Sequence, residues 1–207
     1  MANVSRINGF KPVKHLNGSP YNGQANIYEL VANDGTLTNV GDLVKADGGT
    51  GTTNYPTCIR GGTSGEVTSG LYLGVVVGFI ILDGTSGANQ TQPSLDVPNQ
   101  VSRAASTKRL ALVADDPTLI FEVQDGGTVP CTKTLIGMNT GFLATVGSTV
   151  TGASGMTTGT TAPTTTNSLP LKIMGIVNSP DNEPAAAYQK LLVMINQHYY
   201  MGGQTAT

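Results

Sequence analysis

Two histidines, two cysteines and two short acidic groups are the side chains best suited to act as bases, nucleophiles or metal ligands in this 207-residue chain. A general base needs a nucleophile or an orienting carboxylate within hydrogen-bond reach. His15 and His198 lie in opposite terminal segments, and neither neighbours a cysteine in sequence. Asp115 and Asp116 precede Pro117 and offer oxygens that suit a hard cation. The same three residues suit a tight turn, and the turn is the preferred reading. Asp181, Asn182 and Glu183 are read in the same way. Cys58 and Cys131 fit no metal-ligand spacing, and two buried thiols are favoured over a disulfide. The run Gly49-Thr50-Gly51-Thr52-Thr53 begins like a dinucleotide fingerprint but lacks its third glycine, and no helical pattern follows it. No Gly-x-Ser-x-Gly elbow, phosphate-binding loop or His-Glu-x-x-His helix occurs in the sequence. The expectation is a protein that is not an enzyme, with no catalytic residue, no metal and no cofactor.

The elements that would position these groups read as strands. Gly accounts for 27 residues, Trp is absent and only 12% of the chain is charged. Disorder normally comes with high charge, so this is a folded chain whose surface is made polar by Thr, Ser, Asn and Gly. β-branched Thr favours extended backbone, and Gly serves the turns between strands. Strand signals fall at Ile27–Val31, which ends at Asn33-Asp34-Gly35, and at Val40–Val44. Leu71–Leu82 is the longest apolar run. Its two glycines, Gly74 and Gly78, predict a bulge or a close backbone approach. Arg109–Val113 and Leu119–Val123 read as a hairpin across Ala114–Thr118, and Leu169–Val177 as a further strand. Glu183–Tyr200 is open between helix and strand, with strand favoured by its surroundings. Leu73–Gly78 and Lys172–Val177 echo each other weakly, too briefly to define a repeat. The fold class expected is all-β, an antiparallel barrel or sandwich.

Two regions stand apart. Residues 1–26 are punctuated by Gly, Asn and Pro, and no regular element longer than about four residues is expected there. This segment holds Arg6, Lys11, Lys14 and His15 and no acid. It therefore carries three formal positive charges, which leaves −5 on the remainder of a chain whose net charge is −2. Val4, Ile7, Phe10, Val13, Leu16 and Tyr21 recur through it, which favours an extended arm lying on a neighbouring subunit over a solvated tail. Arg6, Phe10, Lys11, Lys14, His15 and Tyr21 are its candidate partner-binding residues. Residues 27–207 form the β-domain. Residues 145–168 are nearly all Thr, Gly, Ser and Ala, and read as a flexible loop or as an excursion ordered by partners, with a protrusion around 140–168. No basic patch is large enough to hold nucleic acid. No apolar run is long enough to span a bilayer, and no signal peptide is visible, so synthesis in the cytoplasm is expected.

Several segments carry a family resemblance. They are Asn8–Gly23, Val40–Val44, Leu73–Phe79, Arg103–Thr107, Val113–Pro117 leading into Ile120–Gln124, Leu169–Gly175, Asn182-Glu183 and Val193–His198. In this order they resemble virion structural proteins of tailed bacteriophages, of the capsid cement or decoration type. The resemblance spreads over nearly the whole chain, but its motifs carry no chemistry. It implies a homotrimer on the capsid exterior that bridges neighbouring copies of the major capsid protein. Its partners would be that shell protein and itself, with neither nucleic acid nor membrane. The basic arm would meet acidic patches on the shell, and many copies on a lattice would add avidity. The alternative is a tail or head-fibre component that binds host surface glycans. Its weakness is a chain with 5% aromatic residues and no Trp to stack on sugars.

Overall fold

The computed structural model describes residues 3–49, 51, 53–80, 102–128 and 130–201. Fifteen strands and one short 3-10 turn, Lys133–Leu135, are present among them, and no α-helix. In chain order the strands are β1 (Lys11–His15), β2 (Asn26–Leu30), β3 (Thr38–Asn39), β4 (Leu43–Ala46), β5 (Thr57–Arg60), β6 (Glu66–Val67), β7 (Gly74–Ile80) and β8 (Ser102–Arg103). They continue with β9 (Arg109–Ala114), β10 (Leu119–Gln124), β11 (Asn139–Thr140), β12 (Phe142–Leu143), β13 (Thr157–Thr158), β14 (Leu171–Ile176) and β15 (Lys190–Ile195). The all-β expectation holds. A closed barrel is formed by β2-β5-β4-β7-β9, and an open five-stranded sheet by β1-β10-β15-β14-β11. The β2–β5 pair is parallel, whereas every other pairing within the barrel is antiparallel.

Side-chain alternation along the barrel strands sorts two cores. Tyr28, Leu30, Val44, Cys58, Val76, Ala111 and Val113 fill the barrel. Their neighbours Leu43, Val75 and Ala114 point outward and join a larger core with Phe121, Leu171, Ile173, Val193 and Ile195 of the open sheet. The two sheets thus share strands' opposite faces, as period-two geometry requires. Strand β15 shows it most simply, with Leu191, Val193 and Ile195 buried and the residues between them half-buried.

The long apolar run contains a bulge. Pairing of β7 with β9 shifts register between Val76 and Gly78, so Val77 is the extra residue. Strict alternation would place Phe79 with Val75 and Val77. The bulge reverses that parity, and Phe79 packs with the barrel core while Val77 packs with the larger one. Gly74 marks a close approach: a Cβ there would sit 2.2 Å from the Ala114 carbonyl oxygen. Both meanings expected of these glycines are therefore present. Ile81 and Leu82 lie outside the described residues. The echo segment β14 has a similar register shift, between Ile173 and Gly175.

Three expectations change. The stretch Ala114–Thr118 does not close a hairpin, because β9 pairs with β2 and β7 while β10 pairs with β1 and β15. It carries the chain from barrel to open sheet. Sequence adjacency suggested pairing, but β9 closes the barrel while β10 joins the open sheet. The first 26 residues are not a free arm over their whole length. Lys11–His15 forms a five-residue strand on β10, and Phe10 is buried with its ring edge-on to Phe142, centroids 6.4 Å apart. Phe10 and Tyr21 of this segment serve the chain's own core, whereas Val4, Ile7 and Leu16 are exposed. The Gly/Thr-rich stretch is also packed by its own chain. Ser154, Met156, Thr157 and Thr158 are buried, β13 pairs with β12, and Ala153 bridges to Val40.

Candidate binding site

The charged groups divide into a sealed cluster and an open one. In the sealed cluster, the Asp42 carboxylate accepts hydrogen bonds from the Asn39 backbone N–H at 2.9 Å, Arg60 Nε at 2.8 Å and Ser154 Oγ at 2.5 Å. Arg60 in turn donates to the carbonyls of Gly62 and Thr145, each at 2.6 Å. Asp42 and Arg60 are both buried, and the bonds they make are to groups of this chain. The cluster fastens the 145–156 stretch onto the barrel. Arg103, also buried, performs a similar task, donating to Val31, Thr36 and Thr107 carbonyls and pairing with Asp34.

The open cluster is centred on Asp115. Tyr28 donates its hydroxyl to Asp115 Oδ2 at 2.5 Å, and Asn26 Nδ2 donates to both carboxylate oxygens. Tyr28 has a single hydroxyl proton, so it accepts from the Tyr200 hydroxyl at 2.7 Å. The chain of donation runs Tyr200 to Tyr28 to Asp115. Burial, then the bond to Asp115, raises the Tyr28 pKa well above the ordinary phenol value, which keeps that proton in place. Asp116 turns away: it accepts from the Thr118 N–H at 2.7 Å and hydroxyl at 2.8 Å and lies 3.2 Å from His15 Nδ1. The two acids are therefore split between two jobs, and no group of three or more metal-ligating side chains exists among the described residues. The turn reading of Asp115-Asp116-Pro117 holds for Asp116, which caps Thr118, while Asp115 serves the tyrosine chain.

His198 underpins the open cluster. Its ring is buried, and Nδ1 accepts the Tyr200 backbone N–H at 3.1 Å. The proton of the neutral ring therefore sits on Nε2, which makes no hydrogen bond of ordinary geometry among the described residues. Burial lowers the His198 pKa, opposed by the Asp115 and Asp116 charges and by the Asp115 and Leu73 carbonyls. The C-terminal turn is pinned by backbone bonds from Tyr72 N–H to Gln197 O and from Tyr199 N–H to Tyr72 O, both 2.8 Å.

Above this floor lies a cleft of about 580 Å³. It is lined by the buried Tyr28 and Leu73, by Tyr55 and Pro56, and by Tyr199 and Tyr200. Four of the chain's seven tyrosines line it. Tyr199 and Tyr200 are exposed, yet their rings are braced edge to face at 5.4 Å, and Tyr200 leans on the His198 ring at 5.9 Å. Sequence reasoning missed this cleft. The dipeptides Tyr55-Pro56 and Tyr199-Tyr200 were visible, but nothing local says that they line one cleft.

The expected partner-binding residues are dispersed. Phe10 is in the core, Tyr21 packs beside it and donates to the Gln24 carbonyl, and His15 is engaged by Thr118 and Asp116. Arg6 and Lys11 are exposed, and Lys14 is half-buried. The dinucleotide-like run lies on the rim of the cleft through Gly49, Gly51 and Thr53; Thr50 and Thr52 are outside the described residues. Both cysteines are free and buried, and burial pushes the Cys58 thiol up to about 12. No helix among the described residues is long and apolar enough to cross a membrane. No protein-family model matches the chain, and no curated protein or solved structure is similar to it at a significant level.

Proposed function

We propose that this chain is a structural virion protein that binds the outer surface of a phage capsid and bridges neighbouring major capsid proteins. One observation carries the reading beyond the family resemblance. Residues 3–8 run beside Gln124, the last residue of β10, as a largely exposed strap that displays Val4, Ile7 and the basic Arg6. The Gln124 side chain grips this strap, accepting the Arg6 N–H at 2.8 Å and donating to the Val4 carbonyl at 2.9 Å. Asn3 and Glu183 exchange two further bonds at its start. The backbone is thus held by its own fold while Val4 and Ile7 stay 61% and 40% exposed, beside the exposed Arg6. Leu16, at the tip of the turn after β1, is 54% exposed. Ordered apolar side chains that the fold leaves this exposed favour an interface. The absence of acids in this segment suits an acidic surface. A homotrimer on the shell exterior follows from the resemblance.

The test uses capsids assembled without this chain. The triple variant Val4→Asp, Ile7→Asp, Leu16→Asp keeps every backbone anchor and the Phe10 core. It is expected to fold and melt like the parent yet to lose capsid occupancy by roughly tenfold or more in co-sedimentation. Undiminished occupancy by the folded variant would overturn the reading.

A further inference from the structure

We infer that the tyrosine cleft is a saccharide-binding site that takes a neutral, pyranose-containing glycan. The inference stands on the cleft and does not rest on the capsid reading, since a cement subunit and a fibre subunit would both present it.

Four observations select this ligand class. The first is shape: about 580 Å³ lies within the range, about 300–1,000 Å³, of pockets that hold small ligands. The second is the pairing of aromatic faces with polar rims. Tyr55, Tyr199 and Tyr200 line the cleft together with the exposed Asn54, which suits a molecule with an apolar C–H face and a hydroxylated edge. The third is charge. None of the described residues that line the cleft is charged, so it has nothing to pair with a sialic acid, a phosphate or a cationic peptide. The fourth is the direction of hydrogen bonding. Tyr28 spends its proton on Asp115, and Tyr200 spends its proton on Tyr28. The Tyr200 oxygen therefore offers lone pairs outward and asks for a donor. A sugar hydroxyl is one. A proline-rich peptide, the other ligand that favours tyrosine-lined grooves, brings carbonyl acceptors and no N–H at its prolines.

The aromatic wall is also pre-organised. His198 holds the Tyr200 backbone, the Tyr199 ring stands edge-on to that of Tyr200, and the hydroxyl chain fixes the phenol. Holding exposed rings in place before binding lowers the entropy lost when a ligand stacks on them. The low aromatic content of the chain counts against glycan binding only if those residues are spread out, and here they are gathered.

The full chain is first applied to an array of neutral and sialylated glycans. The strongest neutral glycan is then titrated into the ¹⁵N-labelled full chain up to concentrations on the order of 10 mM, since single-site saccharide binding is expected near the millimolar range. Decaproline is titrated in parallel. The expected result is saturable binding of a neutral glycan with shifts confined to residues around 53–57 and 198–201. Tyr199→Ala should weaken it about tenfold by removing a stacking face. Tyr200→Phe, which keeps the ring and removes the acceptor, should weaken it a few-fold. Tyr188→Ala, an exposed tyrosine outside the cleft, should leave it unchanged. Three outcomes overturn the inference. They are no neutral glycan bound, binding confined to sialylated glycans or decaproline, and glycan binding that Tyr199→Ala and Tyr200→Phe leave intact. None of these variants touches Val4, Ile7 or Leu16, so failure here and failure of capsid binding are read separately.

Discussion

The Asp42 and Asp115 clusters begin from the same ingredient, a carboxylate drawn into a β-protein and surrounded by donors. They end differently. Asp42 meets a buried guanidinium, a backbone N–H and a buried serine, and the network ends on the backbone carbonyls of Gly62 and Thr145. Asp115 meets Asn26 and Tyr28, and from Tyr28 the network climbs to Tyr200, which is 53% exposed at the mouth of a cleft. A closed network can only hold the fold together. A network that ends on an exposed, oriented phenol also sets the polarity of a surface. The contrast separates a cluster that holds the fold together from one that reaches a cleft, without reference to motif.

Breaking the sealed cluster should have the largest effect. Asp42→Ala leaves the Arg60 guanidinium buried without its counter-ion, and the expected loss is about 3–5 kcal/mol of unfolding free energy by urea denaturation. Met156 and the 145–156 stretch should gain hydrogen-exchange rate before the rest of the chain, because Ser154 and Arg60 both fasten it. Asp115→Ala should cost less, about 1–3 kcal/mol, by leaving the buried Tyr28 hydroxyl without its acceptor. Its diagnostic signature is local. The Tyr199 and Tyr200 ring signals should broaden or average while the barrel core stays intact, whereas Asp42→Ala should leave those rings as they are.

The smallest effect expected is one of pH. His198 is held neutral in the fold, with a pKa below its ordinary 6.5, chiefly through burial. The unfolded chain therefore binds the extra proton first, and stability falls as pH drops below about 6.5, with a slope of at most about 1.4 kcal/mol per pH unit from this one group. His198→Gln should flatten the stability profile between pH 7 and pH 5. Asp116 contributes only further into acid. Burial pushes its pKa up, but the Thr118 donors and His15 outweigh this and leave it below its ordinary 3.8. A profile between pH 7 and pH 5 that His198→Gln does not alter would remove His198 from the account of the open cluster.

How much of this was legible beforehand varies by region. The strands at β2, β7, β9, β10 and β14 were visible within a residue or a few, because each is a short apolar run bounded by turn residues, whereas β15 lies inside a longer stretch that was open between helix and strand. The bulge at Gly78 and the close approach at Gly74 were visible too, since a glycine inside a strand lacks the side chain that a regular ladder would pack. Pairing was not. The strands β9 and β10 look like a hairpin, yet the five residues between them carry the chain from one sheet to another. The role of Phe10 was misjudged for a related reason: an apolar residue in a Gly- and Asn-rich segment looks superfluous until its partner Phe142 is brought to it.

The candidate site shows the same division. By itself the sequence determined that the chain is all-β, that it carries no known catalytic motif, and that its basic, acid-free start differs from the rest. Those properties reside in composition and in spacings of a few residues. Only the tertiary structure decided that Tyr28, Tyr55, Tyr199 and Tyr200 surround one cleft, and that Asp42 and Asp115 have opposite roles. The physical reason is the range of the interactions. Strand propensity and turn chemistry act between neighbours along the chain. The Phe10–Phe142 ring contact and the Tyr200–Tyr28–Asp115 hydrogen bonds join residues far apart in sequence that only the tertiary fold brings within reach.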